Sequence, residues 1–212
     1  TPSQNPISAT PDDGTFTIHL PADTTAPLVK NPSAVPMIIP EDTDDNPLWG
    51  ELANLTVEAT DESGIANVTV TVNLSLVGKN AKVLNLIGNY TNGILWGIFN
   101  CSTNASIGTA GWNGTAYEPY QLELNATDIH GNSNTSVSIE LTVMRNGDVN
   151  VDGAATYSDA MYLYKWKAGK PGFDAIYETV ADVNGDGSVT YSDAMYLYKW
   201  KVTGIPGFEV LH

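Results

Sequence analysis

Apolar and polar residues alternate with a period of two over most of the chain between residues 28 and 143. Such alternation is typical of strands in an antiparallel sheet that has one buried and one solvated face. The clearest alternation predicts strands at 52–60, 65–76, 120–127 and 137–143, and weaker apolar runs predict strands at 34–39, 81–87 and 93–99. Seven short strands separated by Gly, Asn and Asp turns suit an immunoglobulin-like β-sandwich, which we expect for residues 28–145.

The two ends of the chain do not follow this alternation. Residues 1–27 carry five prolines among Thr, Ser and Asp, which predicts a linker or the end of a preceding domain, with a short candidate strand at 15–20. After residue 145 the alternation stops and a repeated, helix-compatible pattern begins. We therefore expect two domains, an all-β sandwich at 28–145 and a small all-α domain at 146–212.

The last part of the chain is an internal duplication. The segment TYSDAMYLYKWK occupies residues 156–167 and recurs unchanged at 190–201, an offset of 34 residues. Each copy follows an acidic segment, DVNVDG at 148–153 and DVNGDG at 182–187. Both match a calcium loop, which presents oxygen ligands at alternate positions and has glycine at position 6 for a sharp turn. Calcium is favoured over magnesium, because magnesium demands a stricter octahedron with more retained water.

Each loop is expected to bind one Ca²⁺ ion, which gives two Ca²⁺ per chain. Side-chain oxygens would bind from positions 1, 3, 5 and 12, and the main-chain carbonyl from position 7. Threonine at position 9 would bind directly or through water. These residues are Asp148, Asn150, Asp152, Ala154, Thr156 and Asp159 in the first loop, and Asp182, Asn184, Asp186, Ser188, Thr190 and Asp193 in the second.

Two features separate these loops from ordinary EF-hands. A predicted strand, not a helix, precedes Asp148, and position 12 is Asp in both copies. Duplicated half EF-hands of this kind, each followed by Pro-Gly-Phe, resemble dockerin modules over residues 146–212. A β-module that runs into them without a linker resembles the X-module–dockerin pairs of cellulosome scaffolds and archaeal assemblies. The resemblance implies calcium-dependent protein docking to a cohesin module of another protein, which assembles an extracellular complex with the β-module as support.

The duplicated segment also predicts a helix with two different sides. At 100° per residue, the side that carries Asp159 must face the loop and the core. The opposite side is aromatic and apolar with one lysine, which is the composition of a recognition patch, so we expect it to bind the partner. Its residues are Tyr157, Ser158, Met161, Tyr164 and Lys165 in the first copy, and Tyr191, Ser192, Met195, Tyr198 and Lys199 in the second.

The near-identity of these two faces has a consequence for docking. If a pseudo-two-fold axis relates the copies, one cohesin is expected to bind in either of two orientations. The alternative is that the β-module covers one face, because residues 144–147 leave no flexible linker.

Composition and charge argue against several other classes of function. The chain carries 24 acidic and 9 basic residues, and its net charge of −15 repels nucleic acids. No stretch approaches the roughly 18 consecutive apolar residues of a membrane helix, so no membrane span is expected in this fragment. Cys101 is the only cysteine, and a buried thiol is a simpler interpretation than a nucleophile. Because the sequence pattern pairs neither two acids nor the thiol with a base, we expect no enzymatic activity. We also expect the chain to be a monomer when it is free of its partner.

Nine Asn-x-Ser/Thr triplets begin within 81 residues and none follows them. Their density predicts an exported, glycosylated surface and is similar to that of archaeal cell-surface proteins. We therefore expect an extracellular location, either secreted or at the cell surface. The acceptors are Asn54, Asn67, Asn73, Asn89, Asn100, Asn104, Asn113, Asn125 and Asn134.

Two groups of residues in the β-module leave alternatives open. The segments at 61–65 and 126–132 resemble the DxSGI and ATDxxGN turns of immunoglobulin-like surface modules, where Asp61, Glu62 and Asp128 either cap turns or hold a cation. Several aromatics either fill the core or line a sugar-binding face, namely Trp49, Trp96, Trp112, Tyr90, Tyr117 and Tyr120. The alternatives to a docking module are a carbohydrate-binding accessory fragment of a secreted glycoside hydrolase and a calcium-stiffened surface-layer fragment.

Overall fold

The computed structural model describes residues 11–12, 15–16, 22–202 and 205–212. These residues form a β-rich part followed by a small helical part. In the predicted linker, β1 (Pro11–Asp12) pairs antiparallel with β2 (Thr15–Phe16), and residues 22–27 have no regular structure. The rest of the candidate strand at 15–20 lies outside the described residues.

The strands of the β-rich part form one hydrogen-bonded sheet. Its order is β3-β5-β8-β7-β6-β10-β12-β4-β9, and β11 pairs with β10. Most neighbours are antiparallel, whereas β4 runs parallel to both β12 and β9. The strands are β3 (Leu28–Val35), β4 (Ile38–Asp42), β5 (Ala53–Thr60), β6 (Thr69–Val72), β7 (Lys82–Thr91), β8 (Leu95–Thr103), β9 (Ala105–Ser106), β10 (Tyr120–Thr127), β11 (Ser133–Asn134) and β12 (Ser138–Met144).

The predicted immunoglobulin-like sandwich is not confirmed, because the strands follow a single path in a curled, mixed sheet and not two separate sheets. Strands β3 and β4 are consecutive in the chain, yet β3 pairs with β5 while β4 joins β12 near the other end of the order. The strand predicted at 34–39 is therefore divided between them. Alternation identifies the buried face of a strand, but it does not specify which strands pair.

The strand predicted at 65–76 is also divided. Here a short 3-10 helix (Ile65–Asn67), β6 and a second 3-10 helix (Ser75–Val77) follow one another. The buried apolar residues Val70, Val72 and Leu74 still share one core with Leu55, Leu122 and Ile139. Cys101 of β8 lies in the same core, and burial raises the pKa of its thiol, which agrees with the interpretation as an inert thiol.

The helical part contains α1 (Tyr157–Lys167), α2 (Glu178–Ala181) and α3 (Tyr191–Lys201). The repeated segment forms α1 and α3, and each begins with a capping box in which a threonine and an aspartate three residues later exchange hydrogen bonds with the main chain. Their inner sides pack in a small core around Leu163 and Leu197. No helix in the described part of the chain is both long and apolar enough to cross a membrane.

The two repeats also brace each other. Lys201 Nζ at the end of α3 donates a hydrogen bond of 3.0 Å to the carbonyl of Ala155 in the first loop. The equivalent Lys167 Nζ at the end of α1 donates one of 2.7 Å to the carbonyl of Val189 in the second loop. Each helix thus supports the loop of the other repeat, which is the reciprocity that a pseudo-two-fold arrangement produces.

Candidate calcium loops and docking surface

Both predicted calcium loops turn sharply at the expected glycine. Gly153 and Gly187, at position 6, have φ angles of 90° and 86°, a region that favours glycine because it has no Cβ. Their main-chain N–H groups donate to the position-1 carboxylates, Gly153 to Asp148 Oδ2 at 2.7 Å and Gly187 to Asp182 Oδ2 at 2.8 Å. These bonds orient the first ligand of each loop.

The position-12 aspartates connect each loop to its helix. Asp159 Oδ2 accepts from the Thr156 N–H at 2.8 Å, and its Oδ1 accepts from the Asn150 N–H at 3.0 Å. In the second loop Asp193 Oδ2 accepts from the Thr190 N–H at 2.8 Å, and Oδ1 from the Asn184 N–H at 3.4 Å. One side chain therefore caps the helix and faces the loop at the same time, so loop geometry and helix position are coupled.

The carboxylates at positions 1 and 12 are almost completely buried in both loops, with 0–1% exposure for Asp148, Asp159, Asp182 and Asp193. Among the residues that the structure describes, no Lys, Arg or His lies within ion-pair distance of these four groups. Burial raises the pKa of Asp159 and of Asp182, and neighbouring carboxylates add to this. Buried acids without a protein cation are suited to hold a metal ion.

The donor set fits calcium. Asp148, Asp152 and Asp159 each offer a carboxylate oxygen, and the three atoms lie within 4.8 Å of one another. Together with an amide oxygen, a main-chain carbonyl and a threonine hydroxyl, they give the all-oxygen set that calcium prefers. The remaining predicted ligands lie around the same loops, since the Asp152 N–H donates to Asn150 Oδ1 and Thr156 Oγ1 lies 3.0 Å from Asp159 Oδ2. In the second loop, Asn184 Oδ1 and Asp186 Oδ1 accept main-chain N–H groups in the same way.

The predicted outward faces of the two helices meet in one exposed surface, which we call the docking surface. It surrounds a shallow groove of about 220 Å³. Rings from the two helices pack against each other, Tyr157 on Tyr198 at 5.4 Å and Tyr164 on Tyr191 at 5.2 Å between centroids. Exchanging the repeats converts one pair into the other. The six large side chains are 45–53% exposed, and they are Tyr157, Met161, Tyr164, Tyr191, Met195 and Tyr198.

The other residues predicted to bind the partner lie at the margins of this surface. Ser158 is exposed, and its hydroxyl lies 2.6 Å from Thr156 Oγ1, as does that of Ser192 from Thr190 Oγ1. Lys165 Nζ lies over the ring of Phe173 at 4.8 Å, and Lys199 Nζ over Phe208 at 4.6 Å. The lysines are thus held beside the docking surface by the repeated Pro-Gly-Phe segments.

The β-rich part contacts the loops and leaves the docking surface exposed. Trp112 packs on the Cα of Gly153, where an added Cβ would approach the ring to 2.3 Å. The Tyr117 hydroxyl donates to Asp148 Oδ2 at 2.5 Å. Leu48 packs in the same way on Gly185 of the second loop. Neither helix face is covered by the β-rich part, contrary to the alternative left open by the short connection.

The sequence pattern does not predict these contacts. Trp49, Trp112 and Tyr117 are among the aromatics expected to fill the core or bind sugar, but they lie near the calcium loops. The rest of that group is elsewhere, with Trp96 buried beneath Lys30 Nζ at 3.6 Å. A signal that could have found the contact is the absence of a linker, because it forces residues of the β-rich part against the loops.

The acids of the β-rich turns serve mainly as caps. Asp61 Oδ1 accepts from the Ser63 N–H at 2.9 Å, and Asp128 Oδ1 from the His130 N–H at 2.8 Å. Asp128 is close to Asp23 and His130, and within the described residues it does not form a ligand cluster with Asp61 and Glu62. Of the two alternatives left open by the sequence, turn capping therefore describes the geometry of Asp61 and Asp128.

The nine glycosylation acceptors differ in their surroundings. Asn104 Nδ2 donates to Asp42 Oδ2 at 2.6 Å, Asn134 Nδ2 to the Pro27 carbonyl at 2.9 Å, and Asn100 Nδ2 to Asn54 Oδ1 at 3.3 Å. These three amides are already engaged within the fold. Two exposed acceptors also donate hydrogen bonds, Asn67 Nδ2 to the Ser63 carbonyl at 2.6 Å and Asn113 Nδ2 to Glu118 Oε1 at 2.8 Å. The acceptors with exposed side chains are Asn67, Asn73, Asn89, Asn113 and Asn125.

Comparison with known proteins assigns the helical part. The family model that matches is described as Dockerin type I domain, and it covers residues 146–199. No curated protein matches the chain. Among solved structures, the chain is similar to the alkylpurine DNA glycosylase AlkC of Pseudomonas fluorescens, bound to DNA containing an abasic site analog. The identity is 13%, the TM-score is 0.30, and the match covers 57% of this chain and 31% of that one.

The chain therefore spans less than a third of the length of that glycosylase, and a likeness this weak carries no argument about function. The matched residues contain both loops, both capping boxes, all of α1 and most of α3. Residues 146–199 are a dockerin type I domain, and a β-rich domain precedes it.

Proposed function

We propose that the chain is a calcium-dependent docking module that binds the cohesin module of another protein and so assembles an extracellular complex. Dockerin type I domains bind calcium and dock to cohesins in cellulosome-like assemblies. The observation that carries the proposal is the docking surface, which both repeats build from exposed Tyr and Met side chains. Aromatic residues and Met in an exposed apolar patch are typical of binding hot spots.

The calcium loops are the structural basis of this surface. Each position-12 aspartate caps the helix that carries the docking residues, and each loop also receives a lysine from the opposite helix. Three aspartates converge on each loop, and their mutual repulsion opposes folding when no ion is bound. Calcium would remove that repulsion and hold the two helices in the paired arrangement that the partner recognises.

We infer that the β-rich domain supports docking without taking part in catalysis. Its contacts with the dockerin domain involve the loops and α2, where the Thr179 hydroxyl donates to the Ile38 carbonyl at 3.0 Å. The Thr43 hydroxyl also donates to the Leu211 carbonyl. The docking surface remains exposed beside it. An extracellular location, which is typical of dockerin-containing proteins, also suits the exposed glycosylation acceptors.

The pseudo-symmetric ring pairs support binding of one cohesin in two orientations. Because a 180° rotation exchanges Tyr157 with Tyr191 and Tyr164 with Tyr198, both orientations present similar contacts. The gain from two equivalent orientations is only about RT ln 2, or about 0.4 kcal/mol. The equivalence of the two orientations would therefore appear in a comparison of matched mutants and not in the affinity of the wild type.

The test is calorimetric binding of the full chain to cohesins encoded in the same genome, with calcium present. Two double mutants are compared, Tyr157→Ala with Met161→Ala and Tyr191→Ala with Met195→Ala. We expect each double mutant to keep near-wild-type affinity, the two within about twofold of each other, and binding to collapse in the quadruple mutant. The control is Ile87→Ala with Ile94→Ala, which removes exposed apolar side chains from the β-rich domain.

Three results would count against the proposal. Wild-type affinity in the quadruple mutant would place the interface elsewhere. Loss of binding in only one double mutant would show a single usable orientation. If no cohesin binds, the chain is better described as a calcium-stiffened structural fragment.

A further inference from the structure

The two calcium loops are nearly identical in sequence but have different surroundings. A short hairpin of the β-rich domain, residues 111–118, reaches the first loop. It is closed by the bridge between Trp112 and Tyr117 and by a hydrogen bond of 3.0 Å from the Asn113 N–H to the Ala116 carbonyl. The Gly111 N–H, which donates to the Val143 carbonyl at 2.9 Å, fastens the hairpin to β12. The hairpin is therefore a defined element of the sheet and not a loose loop.

Two side chains of this hairpin contact the first loop. The Trp112 ring packs on Gly153, and its centroid lies 5.0 Å from that of the tilted Tyr117 ring. The Tyr117 hydroxyl donates to Asp148 Oδ2, which also accepts from the Gly153 N–H. The same hydroxyl accepts from the Arg145 N–H at 3.3 Å, so it is held from both sides.

The second loop lacks an equivalent bond. Within the described residues, Asp182 accepts hydrogen bonds only from the main chain of its own loop, from Asp186 at 3.2 Å and Gly187 at 2.8 Å. Its contacts with the β-rich domain are apolar, through Leu48 on Gly185 and through Trp49, which lies 3.9 Å from a Cβ added at Gly187, against 2.3 Å for Trp112 at Gly153. In the described part of the chain, the three carboxylates of the first loop form a group within 4.8 Å, and those of the second loop do not.

We propose that Tyr117 and Trp112 are positioning residues for the first calcium loop, so that this loop binds calcium more tightly than the second and couples its occupancy to the β-rich domain. The inference rests on the proposed calcium-dependent function. Tyr117 fixes the orientation of Asp148 through the oxygen that Gly153 also holds, so less rotamer freedom is lost when an ion binds. Trp112 covers the turn at position 6 and keeps water away from it.

The experiment compares the full-length wild type with Tyr117→Phe in calcium titrations against a competing chelator. Partners that orient metal ligands typically contribute 10–100-fold in affinity. We therefore expect two sites of unequal affinity in the wild type, and about tenfold weaker binding at the tighter one in Tyr117→Phe. Trp112→Phe, whose smaller ring makes less contact with Gly153, should weaken calcium binding at the same site. Tyr90→Phe is the matched control, because the Tyr90 hydroxyl also bonds a carboxylate, that of Glu58, away from both loops.

Hydrogen exchange of the same proteins in calcium assigns the effect to a loop. Peptides that cover 148–159 should lose protection in Tyr117→Phe, whereas peptides that cover 182–193 should be unchanged. Equal affinities in the wild type, unchanged binding in both hairpin variants, or equal loss of protection in both loops would overturn the inference. Absence of any calcium binding in the wild type is a different result, because it would reject the proposed function itself.

Discussion

Glu51 provides a quantitative test of the contact between the two domains. Its side chain is fully buried, and Oε2 accepts from the Leu48 N–H at 2.7 Å. Oε1 is 3.4 Å from Asn146 Nδ2, and Asn146 Oδ1 is buried with no hydrogen-bond partner among the residues that the structure describes. Burial, assisted by the charges of Asp42, Asp44 and Asp182, raises the pKa of Glu51 from 4.5 to about 7.

The sign of the effect follows from proton binding. Between pH 4.5 and about 7 the folded protein holds a proton on Glu51 that the unfolded chain has lost, so stability falls as the pH rises through this window. Above it, the difference between the two pKa values corresponds to a cost of about 3 kcal/mol. Glu51→Gln removes the charge and keeps the shape, and its amide can donate to Asn146 Oδ1. We expect the variant to gain about 2–3 kcal/mol at pH 8 and almost nothing at pH 4.5.

The assay is denaturant unfolding of the full chain in saturating calcium at both pH values. Bound calcium offsets the charge of Asp182 but not burial, which is the largest cause of the shift, so most of the effect should remain. Glu58→Gln is the control, because a hydrogen bond from the Tyr90 hydroxyl lowers the pKa of Glu58 and its neutralisation should reduce stability at pH 8. A loss of stability in Glu51→Gln at pH 8, or a gain independent of pH, would refute the reasoning.

Three further predictions concern the loops and the β-rich domain. Val151 has a φ angle of 59° at the position where the second loop has Gly185. Because Asn adopts this conformation more easily than Val, Val151→Asn should stabilise the calcium-loaded protein by about 1 kcal/mol. Calorimetry should then show a higher Tm, and an unchanged or lower Tm would contradict this. Chelation should unfold residues 146–212 while the sheet keeps its far-UV circular dichroism, and a helical signal that persists in chelator would argue against calcium-dependent folding. Purified residues 28–145 should not hydrolyse a panel of polysaccharides and peptides, and activity that survives in a second expression host would reject catalytic silence.

The dockerin domain could be predicted from the sequence because the features that define it lie close together in the chain. Ligand spacing, position-6 glycine and helix periodicity all lie within one repeat, and the duplication repeats each of them. The exposure of Met161 and Met195 was predicted correctly from the helix wheel, because Asp159 fixes the inner side. The short helix α2 was not predicted, since four residues are too few to show a helical period.

In the β-rich domain, local sequence patterns predict strands but not which strands pair. Alternation predicted the strand at 120–127 residue for residue, yet it did not reveal that β10 pairs with both β6 and β12 or that β4 runs parallel to β12. Pairing depends on contacts between distant segments. For the same reason, neither Tyr117 on Asp148 nor the burial of Glu51 could be anticipated, because both arise where the two domains meet.

The most direct test of the whole account is calorimetric titration of the full chain with calcium, because both the docking surface and its support depend on occupied loops. We expect two calcium ions per chain, one for each set of buried carboxylates. Asp148→Ala with Asp159→Ala, and Asp182→Ala with Asp193→Ala, should each leave one ion. A wild-type chain that binds no calcium, with a helical part equally stable in chelator, would contradict it.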